Sequence, residues 1–309
     1  MENEAKKFLE LSEQESETVS GLALPEFRLG EATIYDHLAL RGIRVDRVEP
    51  GLVVCTFKVP LRLLDRDGNF ASGAIANLVD VVGSCVVYVS GAPMNVTMEV
   101  SISYLSTAKL DDELEITSRL LGVRTKRREL VRGSMPFFHV GVSESIRDGS
   151  HNMQMAKEYL DLTDHDSEAV SQLDIAAQRA GVEFYEVFAL RGIRVDRVEP
   201  GLVVCSFKVP PRLTDRAGNF ATGAIANLVD VVGNSTVYCL GRPMNVSIDM
   251  SISYMSKAKI DDELEITSKR LGQRGRYFGT IVVLKNKATG EIIAEGRHSL
   301  FRSNFVPKL

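Results

Sequence analysis

Apolar and polar side chains alternate strictly over residues 246–254 (VSIDMSISY), which is typical of a strand with one buried face. Residues 202–209 are β-branched and mostly apolar between two proline-containing turns, and they predict another strand. Residues 263–271 predict a third strand, and the segments 277–284 and 291–301 on either side of NKATG predict a β-hairpin. The pattern therefore indicates one strand followed later by four antiparallel strands.

Between these strands lies one long, almost uncharged segment, residues 220–240 (FATGAIANLVDVVGNSTVYCL). Its length and its Ala, Leu and Asn content favour a helix that is buried on nearly all sides, with Asn219 as a candidate N-cap. A curved antiparallel sheet that wraps this helix would bury both elements at once. We therefore predict an α+β fold.

The same pattern occurs twice, because residues 39–122 and 189–272 match at a constant offset of 150 with roughly three quarters of the positions identical. Each copy is large enough to form a domain, so the chain is predicted to contain two paralogous domains. The first copy departs from the repeat after residue 122, and it is expected to lack its last two strands. The predicted divisions are a helical N-terminal arm (1–37), an incomplete first copy (38–122), a divergent linker with a second helical arm (123–187) and a complete second copy (188–305).

Composition narrows the choice of partners and compartment. A net charge of −4 and a pI near 5.8 argue against nucleic acid or an anionic membrane as the main partner, and no apolar run is long enough to predict a membrane span. The four cysteines show no CxxC spacing, so buried free thiols in a reducing compartment are expected. A cytoplasmic protein is expected, with a peroxisomal address as the alternative because the chain ends Pro307-Lys308-Leu309.

One carboxylate interrupts the apolar helix of each copy, Asp80 in AIANLVDVVG and Asp230 at the equivalent place. A buried carboxylate is costly unless it is paired or used in chemistry, and burial should raise its pKa. Two interpretations remain open. Each Asp is an acid–base group, or it caps neighbouring backbone or lies at an exposed edge of its helix.

Both apolar helices begin with a hydroxyl residue and a glycine, Ser72-Gly73 in the first copy and Thr222-Gly223 in the second. Glycine allows a ligand to approach the free N–H groups of the first turn, which suit a polarised carbonyl oxygen. The alternative is that these small residues only permit close packing. A carboxylate two turns along the same helix cannot reach that carbonyl, but a carboxylate on a second, antiparallel helix can, so two copies side by side make chemical sense.

Other catalytic arrangements have little support. The five histidines have no counterparts between the copies and no metal-ligand spacing, and His298 is expected on the surface of a strand. GxSxG, HExxH and P-loop motifs do not occur. Neither a metal nor a cofactor is therefore expected.

At the helix and its neighbouring strands the chain resembles the small hot-dog-fold acyl-CoA thioesterases of the PaaI-like superfamily, in particular its plant members. The stretches that carry the resemblance are GAIANLVD, PMNVSIDMSISYMSKAK and NKATGEIIAEGRH. It covers the second copy from residue 188 to 301 and the first from about 38 to 122. The resemblance implies a tandem hot-dog fold, in which each copy is a long central helix wrapped by a curved antiparallel sheet and the active sites lie where the copies meet.

The resemblance also implies roles for particular residues. Asp230 and Asp80 would act on the thioester as general base or nucleophile. Ser247, with Thr97 at the equivalent position of the first copy, would help to orient the attacking water.

The resemblance further implies that backbone N–H groups at the helix starts, beside Gly223 and Gly73, polarise the carbonyl. Many relatives carry His-Gly-Gly here, whereas this chain has Ala-Thr-Gly and Ala-Ser-Gly, so the polarisation must rest mainly on backbone donors. Six residues are further candidates for substrate contacts: Thr222, Ser72, Asn219, Asn69, Lys257 and Lys259.

The leading hypothesis is an acyl-CoA thioesterase that hydrolyses a fatty or aromatic acyl-CoA to the free acid and CoA. Asp230 with Ser247 is favoured over Asp80, because that strand belongs to the complete copy. The alternatives are a non-catalytic acyl-CoA or acyl-lipid binding protein, a hydratase or dehydratase of enoyl thioesters, and a damaged fusion product. Acyl-CoA is the expected partner, with intramolecular pairing of the copies or a homo-oligomer.

Overall fold

The structure is a computed structural model, and it describes residues 1–12, 15, 17, 31–90, 97–121, 149–160, 168–181, 184–239 and 245–302. The expected loss of the last two strands of the first copy concerns residues 122–148, which lie outside the described residues, as does the C-terminal tripeptide Pro307-Lys308-Leu309.

The first half contains helices and strands in the order that the repeat predicts. Its helices are α1 (Glu2–Leu9), α2 (Ile34–Leu40) and α3 (Ser72–Val89), and its strands are β1 (Ile43–Glu49), β2 (Leu52–Lys58), β3 (Glu99–Ser103) and β4 (Glu113–Arg119).

The second half begins with three helices and ends with the predicted hairpin. Its helices are α4 (Gly149–Leu160), α5 (Glu168–Ala180), α6 (Phe184–Leu190) and α7 (Thr222–Tyr238), and its strands are β5 (Arg194–Glu199), β6 (Leu202–Lys208), β7 (Asn245–Tyr254), β8 (Glu263–Arg274), β9 (Tyr277–Asn286) and β10 (Ile292–Arg302).

Helix α7 is buried on nearly all sides, as its composition predicts, and an antiparallel sheet in the order β7-β10-β9-β8-β6-β5 covers it. The α+β architecture of a long helix wrapped by a sheet is therefore confirmed. The expected N-cap is wrong, because the cap residue is Ala221, with no side-chain capping bond. Asn219 instead lies in the preceding turn, where its N–H donates to the Asp215 carboxylate at 2.8 Å.

The two halves share one sheet. Strand β3 of the first half pairs antiparallel with β7 of the second, with Glu99 opposite Ser253 and Ser103 opposite Asp249, which extends the sheet to seven strands. The remaining strands of the first half form a separate sheet in the order β1-β2-β4. Pairing of the copies is therefore built into the backbone.

The central helices also pack directly against each other and run antiparallel. A Cβ added at Gly73 would lie 2.6 Å from the Cβ of Asn227, and one added at Gly223 would lie 2.4 Å from the Cβ of Asn77. Helices can approach this closely only where one of them carries no side chain. Close packing is therefore one reason for both glycines.

Helix α3 is less covered than α7. Val79 is 45% exposed, whereas its counterpart Val229 is fully buried beneath β10, where a Cβ at Gly296 would lie 2.4 Å from Val229 Cγ1. By length and composition alone α3 could cross a membrane, but half of it is buried, and it packs against α7. These features are those of the core helix of a folded domain.

The helical arms are exchanged between the halves. Helix α1 packs against α7 and β5 of the second half, where the rings of Phe8 and Tyr238 are tilted to each other with 4.8 Å between their centroids. Helix α4 packs against α3 and β1 of the first half, where Tyr159 stacks on Tyr88 at 5.3 Å. Each arm therefore braces the copy other than its own.

Candidate active site

The antiparallel helices place each acid near the start of the opposite helix, so the molecule has two related clusters. The "first site" is formed by Asp80 and Thr97 of the first half with Thr222 and Tyr254 of the second. The "second site" is formed by Asp230, Ser247 and His298 of the second half with Ser72, Gly73 and Tyr104 of the first.

In the first site both carboxylate oxygens of Asp80 accept hydrogen bonds. Thr97 Oγ1 donates to Oδ1 at 2.5 Å, and Thr222 Oγ1, from the first turn of α7, donates to Oδ2. Burial raises the pKa of Asp80, and the two hydroxyl donors oppose that rise. The acid of one copy is thus in direct contact with the helix start of the other, as the chemical argument from the sequence requires.

In the second site Asp230 has a different environment. Ser247 Oγ donates to Oδ1 of Asp230 at 2.6 Å, and His298 Nε2 lies 3.1 Å from the same oxygen and 3.0 Å from Ser247 Oγ. Within the described part of the chain no hydrogen bond is made to Asp230 Oδ2, and none joins Asp230 to Ser72. Oδ1 of Asp230 is therefore hydrogen-bonded by the protein, while Oδ2 is available to a ligand or a water.

The expectation that His298 lies on a strand surface is wrong. Only 1% of His298 is exposed, because β10 turns Gly296, His298 and Leu300 towards the helix while Arg297 points outwards. The alternation of GRHSL along that strand was the signal that could have located it. A Cβ at Gly233 would lie 2.9 Å from His298 Nδ1, so α7 accommodates the ring at a glycine.

Burial lowers the pKa of His298, and the Asp230 carboxylate opposes that effect. The ring is consequently neutral at neutral pH, and its contact with Asp230 is a hydrogen bond. Because a carboxylate only accepts hydrogen bonds, the proton is assigned to Nε2. No described residue of the first half occupies the position of His298, so within the described part of the chain this group distinguishes the second site from the first.

Sequence reasoning also missed two tyrosines. Tyr104 Oη donates to the carbonyl of Ser72 at 3.1 Å, and Tyr254 Oη donates to the carbonyl of Thr222 at 3.2 Å. Burial and the charge of Asp230 raise the pKa of Tyr104, so its phenol remains protonated. Each central helix is therefore anchored at its first residue by a tyrosine.

Among the described residues no side chain caps the start of either central helix. The N-caps of α3 and α7 are Ala71 and Ala221, and neither forms a side-chain capping bond. Unsatisfied N–H groups of the first turn, with the positive end of the helix dipole, stabilise an oxygen that gains negative charge. In the second site this donor is the N–H of Gly73, a residue that packs against Asn227, one turn before Asp230.

The remaining predicted contacts lie in loops. Asn69 Oδ1 accepts from Lys109 Nζ at 2.5 Å, Asn219 contacts Asp215, and Lys259 forms a backbone bridge with Asn219. In the described residues neither asparagine is hydrogen-bonded to Asp80 or Asp230, nor are the exposed side chains of Lys257 and Lys259. The asparagines close the loops before the helices.

Two reciprocal ion pairs join the halves next to these loops. Arg66 Nε of the first half lies 2.8 Å from Glu186 Oε2, and Arg216 Nε of the second half lies 3.3 Å from Asp36 Oδ2. Burial raises the pKa of Glu186 to about 7, although the Arg66 guanidinium opposes it. Among the described residues no cluster of three or more His, Cys, Asp or Glu could hold a metal ion, and all four cysteines are buried and free.

Comparison with known proteins gives the family. The model of the Thioesterase superfamily matches residues 68–129 and 217–293. Acyl-coenzyme A thioesterase 13 of Homo sapiens is 41% identical over 106 residues, which are 34% of this chain and 76% of that protein, and the Mus musculus protein is 39% identical over the same length. The crystal structure of zebra fish thioesterase superfamily member 2 is similar with 38% identity and a TM-score of 0.36, covering 37% of this chain and 84% of that one. The matched regions contain both central helices with their acids, and the chain belongs to the thioesterase superfamily.

Proposed function

We propose that this protein hydrolyses acyl-CoA thioesters, with a fatty or aromatic acyl group, to the free acid and CoA. We assign the reaction to the second site, with Asp230 as the general base. The observation that carries the proposal is a carboxylate with one oxygen hydrogen-bonded and the other available, one turn along its helix from Asn227, which packs against Gly73 at the uncapped start of the other helix. The acyl-coenzyme A thioesterases to which the chain is similar support the substrate class.

The reaction needs a base, a positioned water and a polarised carbonyl. Asp230 Oδ2 takes a proton from water while Oδ1 stays bonded to Ser247 and His298. The oxygen of that water attacks the thioester carbon, and the N–H of Gly73 with the dipole of α3 stabilises the resulting oxyanion. The C–S bond then breaks, the sulfur leaves as the thiolate of CoA, and Asp230 returns the proton to it.

The first site is less suited to this reaction. The Thr222 hydroxyl bonds directly to Asp80 and so occupies the space between the acid and the helix start. In the second site no such bond forms between Ser72 and Asp230 in the part of the chain that is described. The second site therefore keeps Asp230 Oδ2 available to a water, and it also has His298.

The test is thiol release from a panel of acyl-CoA thioesters by the purified chain. Asp230→Asn, Asp80→Asn and the double variant are compared, with melting temperature as the check on folding. We expect Asp230→Asn to abolish most turnover and Asp80→Asn to retain it. Undiminished hydrolysis by the double variant would refute the mechanism, and saturable binding of the thioesters without any thiol release would instead favour an acyl-CoA binding protein.

A further inference from the structure

Tyr104 and Tyr254 occupy equivalent positions, and each anchors the helix of its own copy. Tyr104 Oη bonds to the carbonyl of Ser72, the first residue of α3, and Tyr254 Oη bonds to the carbonyl of Thr222, the first residue of α7. Tyr254 is buried and Tyr104 is half-buried, so both hydrogen bonds are partly shielded from water. A buried hydrogen bond of this kind holds its acceptor in one orientation.

The sheet that joins the halves brings Tyr104 to the opposite copy's acid. The backbone N–H of Tyr104 donates to the carbonyl of Ile248 at 2.7 Å, which places Tyr104 one residue away from Ser247. The charge of Asp230 also contributes to the raised pKa of Tyr104, which agrees with this placement. Tyr104 therefore belongs to the first half in sequence and to the second site in space.

The anchored carbonyl and the proposed catalytic donor are parts of the same chemical group. The C=O of Ser72 and the N–H of Gly73 form one peptide unit, which is planar and trans, so the two bonds point in opposite directions. A hydrogen bond to the carbonyl fixes the plane of this unit and thereby the direction of the N–H. It also draws electron density towards the carbonyl oxygen, which strengthens the N–H as a donor.

We propose that Tyr104 is a positioning residue of the second site, whose hydroxyl orients and polarises the Ser72–Gly73 peptide so that the Gly73 N–H binds the thioester oxygen. The inference rests on the proposed function. Tyr104 itself stays on the far side of the peptide unit and does not touch the substrate.

The test replaces the hydroxyl alone, with Tyr104→Phe. Loss of one hydrogen bond that matters mainly in the transition state predicts a fall in kcat of about 10-fold with KM changed less than about 2-fold. Tyr277→Phe, which removes an exposed phenol at the first residue of β9, is the matched control and is expected to keep wild-type kinetics. Wild-type kcat in a folded Tyr104→Phe protein would overturn the proposal.

A spectroscopic measurement separates positioning from general damage. An acyl-CoA labelled with 13C at the thioester carbonyl is bound to Asp230→Asn and to Asp230→Asn with Tyr104→Phe, and the carbonyl stretch is recorded in the infrared. The shift to lower frequency on binding should shrink in the double variant, and site-specific 3-fluorotyrosine at position 104, a stronger donor, should enlarge it. A carbonyl band that is the same in the double variant and in the 3-fluorotyrosine protein as in Asp230→Asn would overturn the role of Tyr104. Hydrolysis that persists without both Asp80 and Asp230 would instead refute the proposed function.

Discussion

Thr222, at the first turn of α7, donates a hydrogen bond to Asp80, in the middle of α3, so that the helix start of one copy is tied to the acid of the other. The equivalent pair in the other site, Ser72 and Asp230, forms no such bond in the described structure. Two copies that are closely similar in sequence thus form two sites that differ in whether the hydroxyl at the helix start bonds to the acid. Among the described residues the two sites also differ at the helix start, where threonine stands against serine, and in His298, which has no described counterpart in the first site.

Removal of the Thr222 hydroxyl should open the first site. We expect isothermal titration with a non-hydrolysable thioether analogue of acyl-CoA to give about one equivalent bound by the wild-type chain and about two by Thr222→Ala. Ser72→Ala, the matching change at the other helix start, should leave the stoichiometry at one. Two equivalents bound by the wild type would mean that Thr222 does not close the first site.

The two acids should contribute unequally to turnover. Asp230→Asn removes the proposed base and should lower kcat by about 10²- to 10⁴-fold, the usual range for loss of a general base. Asp80→Asn should change kcat less than about 2-fold, since Asp80 is engaged by two hydroxyls. Steady-state thiol release measures both, and equal losses in the two variants would contradict assignment of the reaction to the second site.

His298 should act through Asp230. His298→Ala should lower kcat by about 10-fold, and His298→Gln should recover part of this because its amide N–H can replace Nε2–H. Burial lowers the pKa of His298 from 6.5, so the folded state favours the neutral ring, and stability should be lost as the pH falls below about 6.5. In denaturant titrations the free energy of unfolding of His298→Gln should fall less at acid pH than that of the wild type. The same pH dependence of stability in both proteins would contradict a buried neutral ring.

Glu186 should make stability fall as the pH rises. Its pKa is raised from 4.5 to about 7 by burial, so the folded state disfavours ionisation. Between about pH 4.5 and 7 the free energy of unfolding should decline by roughly 3 kcal/mol relative to Glu186→Gln, with the full difference present above pH 7.

Denaturant unfolding at a series of pH values measures the effect of Glu186. Glu199→Gln changes the same charge at an exposed position and should give a curve parallel to the wild type. A parallel curve for Glu186→Gln as well would mean that burial does not raise the pKa of Glu186.

The helix contact should not tolerate a side chain at Gly73. Gly73→Ala places a methyl group 2.6 Å from the Cβ of Asn227 and should destabilise the protein by about 1–3 kcal/mol through overpacking. Gly83→Ala lies in the same helix with open space around its Cβ and should stabilise the protein by up to about 1 kcal/mol, because alanine is the better helix former. Chemical denaturation measures both, and a neutral Gly73→Ala would show that the helices can separate without cost.

Much of the fold could be predicted from local pattern. The alternation in residues 246–254 and the apolar segment 220–240 are the strand β7 and the helix α7, because each pattern reports which faces of an element are buried. The two acids and the helix starts could also be found from the sequence, since a carboxylate among Ala, Leu and Val is conspicuous there. The role of each residue remains a prediction that the variants above test.

Other features depended on contacts between distant parts of the chain. Periodicity shows that His298 alternates with its neighbours, but the face of β10 that meets α7 is decided by strand pairing. Tyr104 and Glu186 carry no local signal, because their partners Ser72 and Arg66 are far away in sequence and meet them only in the folded chain. The packing of α1 and α4 against the other half could not be predicted from the sequence for the same reason.

The sequence by itself determined that the chain holds two copies of one helix-and-sheet unit, each with an acid in its helix and a glycine at the helix start. Hydrophobic periodicity and the repeat at a constant offset can be read directly from the sequence, without knowledge of the fold. Only the tertiary structure decided that β3 pairs with β7, that the helices run antiparallel, and that the two sites are unequal. These are consequences of packing between segments far apart in sequence, which decides whether the hydroxyl at a helix start reaches the carboxylate of the opposite helix.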